Sequence, residues 1–367
     1  MGARSSNTNR EGSRSKSQNR LLNGHVANFF NSNLNAGAIG PNAPQDIVAS
    51  GGVKFNVGAY TYHLFRSSGT FTVASGQDPA EVVAFGGGGS GGFFYGDGGG
   101  AGGGLHAPMY PLAPGPYTVT IGAGAPGPPA SPGPGVVGGA TQFYPTPVGA
   151  GEGANNMYAR GGGGGGYKQN EPHPAPGSGF PWNPLSGTGA GGGTHNGSTT
   201  ETTPNFPTST QHPAVPPTGK YGAAGGDKPY YESNGCGGGG MGGGGEFPGS
   251  FRTSEGGLGK AFSNFPGPGM YDAMPSPEQS SFGGTLWRDT LGPTGLIGGG
   301  GGGYNANWGP PTAPGARGPG GGGKGSAGSL PTADVDGVDY TGSGGGIYSP
   351  TGPGDGGDGG VWIRYLT

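Results

Sequence analysis

Apolar and polar side chains alternate in only a few short stretches of this chain. Tyr60-Thr61-Tyr62-His63-Leu64-Phe65 is aromatic-rich and bounded by Gly58 and Gly69. Gly69-Thr70-Phe71-Thr72-Val73 follows, then Glu81-Val82-Val83-Ala84-Phe85. Tyr117-Thr118-Val119-Thr120-Ile121 alternates cleanly, and Val361-Trp362-Ile363-Arg364-Tyr365 places Trp362 and Arg364 on one face. Aromatic and β-branched residues between Gly, Ser and Pro are the strand signal. Strands are therefore expected near 60–65, 70–74, 81–85, 117–121 and 361–366. A short helix over 21–30 is possible around Val26, Phe29 and Phe30. No segment carries a sustained helical period, so almost no α-helix is expected.

Between these strands the chain is dominated by glycine. Of 367 residues, 97 are Gly and 38 are Pro. Gly plus Pro above about 25–30% without a period ordinarily reads as low complexity. Here charged residues are only 10% and aromatics also 10%. A solvated disordered chain carries more charge, so the composition reads as a packed or adhesive object. Apolar residues, at 30%, are too few for an ordinary core of this size.

The glycine falls in blocks at 86–92, 98–104, 161–166, 187–193, 235–245, 298–303, 320–325 and 342–346. A block has only N–H and C=O groups to offer, and buried ones must be paired. Consecutive Gly in an α-helix costs about 1 kcal/mol per residue relative to Ala. A glycine β-sheet has no side chains to hold its register. The extended three-fold helix has no internal hydrogen bonds and turns its backbone groups outward. Without Cβ atoms, such helices can approach and bond to one another on all sides. The fold class expected is thus mainly β and irregular: a small sheet or sandwich framing a lattice of glycine-rich polyproline-II-type helices, with long loops. Gly→Val within 161–166 should disrupt such a lattice.

Three zones follow: a basic arm at 1–20, an attachment or oligomer-contact segment at 21–50, and a glycine-rich domain at 51–367. The arm carries Arg4, Arg10, Arg14, Lys16 and Arg20 against Glu11. Together with Phe29 and Phe30 these are candidate assembly contacts. The alternative is a solvated tail. No aromatic residue interleaves the charges and the net charge is −3, which argues against nucleic acid. No run approaches the ~20 apolar residues of a membrane span, and Cys236, the one cysteine, cannot form an internal disulfide.

No credible catalytic or metal constellation emerges. Gly88-Gly89-Ser90-Gly91-Gly92 fits the nucleophile-elbow spacing, but lacks the strand–turn–helix setting. Lys324 and Lys260 are not followed by Ser or Thr, so neither completes a phosphate loop. The six histidines have no ligand spacing. Asp334, Asp336 and Asp339, and Asp355 and Asp358, read as turns. The expectation is a protein without cofactor or metal that is not an enzyme. The informative set is the aromatics between the blocks: Phe93, Phe94, Tyr95, Trp182, Tyr230, Tyr231, Tyr271, Trp287, Tyr304 and Trp308. They either clamp the lattice in place of a core or form a receptor surface.

The ordered set of strands, with Gly-Thr-Phe-Thr-Val at 69–73, Tyr-Thr-Val-Thr-Ile-Gly-Ala-Gly at 117–124 and Gly-Gly-Val-Trp-Ile-Arg-Tyr at 359–365, resembles the glycine-rich domain of tailed-phage virion proteins. Glycine blocks separated by aromatic loops are also similar to the receptor-binding adhesins at the tips of T-even phage long tail fibres. Residues 1–50 depart from the attachment region of those adhesins. The resemblance implies a virion protein of the tail fibre or spike, made in the host cytoplasm and displaying loops toward a host surface glycan or outer-membrane protein. Its N-terminal region would contact other virion proteins, within a homo-oligomer or larger assembly. Capsid decoration, a minor head protein or an extracellular filament subunit are the alternatives.

Overall fold

In the computed structural model, the described residues are 46–76, 78–93, 96–128, 133–146, 156–166, 186–187, 219–223, 225, 235–245, 255–304, 318–325, 334–348 and 352–367. The strands are β1 (Val48–Ser50), β2 (Val53–Val57), β3 (Tyr60–Phe65), β4 (Gly69–Ser75), β5 (Pro79–Phe85), β6 (Gly104–Pro111), β7 (Gly115–Thr120), β8 (Thr141–Pro145), β9 (Met157–Ala159), β10 (Ser186–Gly187), β11 (Gly219–Tyr221), β12 (Lys260–Ala261), β13 (Leu296–Ile297), β14 (Ile347–Tyr348), β15 (Gly352–Pro353) and β16 (Gly360–Leu366). Three helices, α1 (Gly267–Ala273), α2 (Ser276–Ser281) and α3 (Gly284–Leu291), lie between β12 and β13. The expected framing strands are all present. β1 carries the domain back across the boundary drawn at residue 51, because Ile47 and Ala49 are buried in its core.

Two six-stranded sheets form the frame, in the orders β1-β4-β7-β8-β9-β10 and β11-β6-β5-β16-β3-β2. Their inner faces meet in one core: Phe71, Val73, Tyr117, Val119 and Phe143 from the first sheet, Val82, Ala84, Leu105, Val361, Ile363 and Tyr365 from the second. The opposite face of the second sheet presents Phe55, Tyr62, Leu64, Val83, Phe85 and Trp362 to the helical segment. A sheet covered on both faces reads as a near-continuous apolar run, which accounts for Glu81–Phe85 lacking the clean alternation of Tyr117–Ile121.

The helices are the main addition to the expected fold. α1 and α2 each begin with Pro in the first turn, where its missing N–H is not needed. Gly283, at φ +86°, turns the chain from α2 into α3. Met270 and Met274, and Trp287 and Leu291, stand four apart and are buried under the sheet. Each helix is at most eight residues, shorter than the window over which helical periodicity registers.

The glycine runs continue the strands at one end of the sandwich. Run 86–92 leaves β5, 97–103 leads into β6, 133–140 into β8, 161–166 leaves β9, and 354–359 leads into β16. In stacked sheets the side chains hold the layers about 10 Å apart. Once side chains stop, that gap closes, and runs from different sheets bond directly: Gly87 N–H donates to Gly139 C=O at 2.9 Å.

The bonding has a period of three. From run 86–92, Gly86, Gly89 and Gly92 donate to Gly103, Gly100 and Asp97. Gly87, Ser90 and Phe93 donate to Gly139, Val136 and Gly133, and Gly88 and Gly91 to Gly357 and Gly354. Run 97–103 repeats the pattern: Asp97, Gly100 and Gly103 donate to Gly166, Gly163 and Arg160, Gly98 and Ala101 to Cys236 and Gly239, and Gly99 and Gly102 to Gly345 and Gly342. Each successive donor thus turns to a different neighbour, as in a three-fold extended helix. Run 86–92 also accepts bonds from Gly162, Gly165, Gly345 and Ala125, so neighbours enclose it on all sides. A Cβ on Gly89 would overlap the carbonyl of Gly163, and one on Gly88 that of Ser343. This is the expected lattice.

Candidate recognition pole

The lattice gives the molecule two unlike ends. The chain enters the described structure at Asp46, ahead of β1, where Val48 pairs with Ser75 at the far end of β4. It leaves at Thr367, whose N–H donates to Ala59 C=O in the β2–β3 turn at 3.0 Å. Both points lie at the sandwich end away from the lattice. Val48 and Leu366 there are 53% and 59% exposed.

The opposite end is the lattice pole. Phe93 N–H donates to Gly133 C=O, Gly92 N–H to Asp97 C=O, Asp97 N–H to Gly166 C=O, and Gly235 N–H to Tyr304 C=O at 2.6 Å. Tyr304 N–H in turn reaches Gly96 C=O at 3.3 Å. These residues flank 94–95, 129–132, 167–185, 226–234 and 305–317, so those segments all begin or end at this pole. Lys324 and Asp334, an ion pair at 2.9 Å, stand either side of 326–333. The flanking residues Phe93, Gly235 and Tyr304 are bonded into the lattice, and the buried carboxylate of Asp97 serves it. Asp97 is 0% exposed and its Oδ1 accepts Cys236 N–H at 2.6 Å, tying two runs together.

Phe93 and Tyr304, both partly buried, stand at this pole as candidate recognition residues. Phe94, Tyr95, Trp182, Tyr230, Tyr231 and Trp308 lie outside the described residues, as do Arg4, Arg10, Arg14, Lys16, Arg20, Phe29 and Phe30 and the helix considered over 21–30. Trp287 is a correction: it is fully buried, packed on Phe282 and Trp362, and faces the core rather than a receptor. Tyr271 sits in the helical layer, half-buried, with the Arg288 guanidinium 5.6 Å over its ring. Aromatics between glycine blocks look alike in sequence. The helical segment that claims Tyr271 and Trp287 has no signal to separate them.

Other chemistry-bearing residues serve the frame. Ser90 is buried and its Oγ accepts Val136 N–H at 2.8 Å, so the elbow-like spacing is a lattice contact. The aspartates cap open lattice donors rather than merely facing water: Asp358 Oδ1 accepts Gly124 N–H at 2.7 Å and Asp355 Oδ1 accepts Gly127 N–H at 2.6 Å. Among the described residues no three His, Cys, Asp or Glu side chains are grouped to hold a metal. No described helix is long and apolar enough to cross a membrane.

Two buried polar clusters escaped sequence reasoning. Glu81 accepts from Arg364 Nε at 2.7 Å and Asn264 Nδ2 at 2.9 Å, and contacts His106 Nε2 at 2.8 Å. Burial pushes its carboxyl up, but the bonds from His106 and Arg364 outweigh that and hold it below the usual glutamate range. His63 is fully buried between Gly51 C=O, 2.7 Å from Nδ1, and the Tyr365 hydroxyl, 2.9 Å from Nε2. Burial lowers its pKa to about 4, so Nδ1 donates and Nε2 accepts. A lone His or Glu within a strand gives no hint of such partners, most of them far along the chain.

Residues 66–366 match the model of a family described as a glycine-rich domain. The chain belongs to this glycine-rich domain family. The matched span covers the lattice, the helices and every strand from β4 onward. Strands β1–β3 precede it, yet β3 completes the domain by pairing with β16. No curated protein matches the chain.

Proposed function

We propose that this glycine-rich domain protein is a non-enzymatic component of a tailed-phage virion, carried on a tail fibre or spike. Its lattice pole displays loops that recognise a host surface glycan or outer-membrane protein. The observation that carries the reading is polarity. Both ends of the described chain lie at the sandwich end, while Phe93, Gly96, Gly235 and Tyr304, which flank the segments holding Phe94, Tyr95, Tyr230, Tyr231 and Trp308, lie at the other. Attachment at one end and display at the other is the layout a fibre tip requires. A backbone lattice supports such loops well, because sequence change in a loop leaves the hydrogen bonds beneath it intact. Tyr and Trp suit the task, since they supply contact area at low entropic cost. Residues 1–45 would hold the protein to its virion neighbours, with localisation to the released particle.

The test is antibody labelling of intact particles in electron micrographs, paired with adsorption assays. Label at fibre tips, with adsorption reduced at least tenfold by Trp308→Ala together with Tyr230→Ala, is the expected result. Label spread over the head would overturn the reading in favour of capsid decoration. Homopolymers free of capsid protein would overturn it in favour of a filament subunit.

A further inference from the structure

β16 comes last among the strands, yet it holds a central place in the second sheet. Its residues 361–366 pair one for one with β3, and residues 360–364 with β5. The other neighbour of β3 is β2, and that of β5 is β6. Without β16 the sheet separates into the hairpin β2–β3 and the piece β5–β6–β11. The strand also feeds both cores at once: Val361, Ile363 and Tyr365 enter the sandwich, and Trp362 the helical side. Arg364 reaches Glu81 across 283 positions of sequence.

The residues just ahead of β16 do the same for the lattice. Gly88 and Gly91 of the enclosed run donate to Gly357 and Gly354, Gly356 N–H donates to Ala125 C=O, and Gly359 N–H donates to Gly122 C=O. One contiguous segment therefore joins the two halves of a sheet, fills two cores and completes the lattice. Local pairing cannot substitute. A two-stranded hairpin alone is marginal in water, and a glycine run has no side chains to bury. Closing loops of this length costs entropy before any contact rewards it.

We infer that residues 354–366 are a closing element, so that the domain stays open during synthesis and locks when this segment leaves the ribosome. The device discriminates against truncated chains. A chain interrupted anywhere before residue 354 lacks a joined sheet and a complete lattice, and it cannot present a rigid pole to an assembly partner or a ligand. The inference holds whatever the pole binds.

The experiment uses the full chain held on the ribosome through C-terminal linkers of two lengths. The short linker leaves residues 354–366 inside the exit tunnel, and the long one exposes them. Limited proteolysis reads the fraction of chain resistant to cleavage, with released protein as the reference. The expected result is near-complete loss of resistance with the short linker and recovery to the released level with the long one. Resistance already present with the short linker would overturn the inference. So would sensitivity that persists with the long linker while the released protein is resistant.

Discussion

Arg364 and Glu81 face each other across β16 and β5, directly in register, with Nε donating to Oε2 at 2.7 Å. Their side chains are 14% and 8% exposed, and the guanidinium also lies 4.3 Å over the Tyr60 ring. A buried pair is weak evidence of net stabilisation, but removing one partner leaves the other charge uncompensated.

Glu81→Ala should therefore destabilise the domain by about 3–5 kcal/mol. His106 and Asn264 lose their shared partner as well. Glu81→Gln keeps the shape and one acceptor and should cost less. Urea midpoints at neutral pH check the order: a Glu81→Ala chain as stable as wild type would remove the pair from the account.

His63 makes stability sensitive to acid. Its pKa is about 4 when folded against 6.5 ordinarily, so between those values the unfolded chain binds more protons. The histidine's contribution is full above about pH 6.5 and is lost as pH drops toward 4, by about 3 kcal/mol for a shift of this size. Glu81, held below its usual range, loses its contribution as pH falls further. Asp336 and Asp339 work the other way. Burial, and then neighbouring carboxylates, raise both, so their contribution favours the folded state at low pH and fades as pH rises. Comparing wild type with His63→Gln between pH 7 and 4 isolates the histidine. The difference in denaturant midpoint should change steadily over that range, and a constant difference would contradict the assignment.

Glycine positions should divide sharply by location. At Gly162 a Cβ would overlap the carbonyl oxygen of Gly100, whose backbone is itself tied down, whereas Gly69 on β4 is exposed with nothing within 4 Å of its Cβ position. Gly162→Ala should cost ~3 kcal/mol or more, the upper range of overpacking. Gly69→Ala should stay within about 0.5 kcal/mol of wild type, as exposed substitutions do. Thermal melts of the two single variants decide it; equal transitions would mean the runs are not close-packed.

Much of this architecture was readable in the sequence. Tyr117–Ile121 and Val361–Tyr365 carry the alternation that the sandwich core requires, and blocks without Cβ atoms admit few ways to satisfy their backbones. The helical segment was not readable, because Met270, Met274, Trp287 and Leu291 mark its buried face over turns too few to show a period. β6 was hidden for another reason. Pro108 and Pro111 weaken its strand signal, and β6 tolerates them because its partner β11 covers only Gly104 to His106. The pole was legible in part: sequence separated runs from connecting segments but could not tell that Phe93, Gly133, Gly166, Gly235 and Tyr304, which flank those segments, lie at one end, since that depends on which runs are antiparallel.

The period of three in run 86–92 also limits how genes of this kind can change in length. In a three-fold helix, one inserted residue turns every later donor by about 120°, toward the wrong neighbour. Three inserted residues restore each donor to its original direction. Lattice runs should therefore grow and shrink in triplets of residues, or nine nucleotides. Insertion and deletion within the scaffold are thus confined to whole turns of its helices.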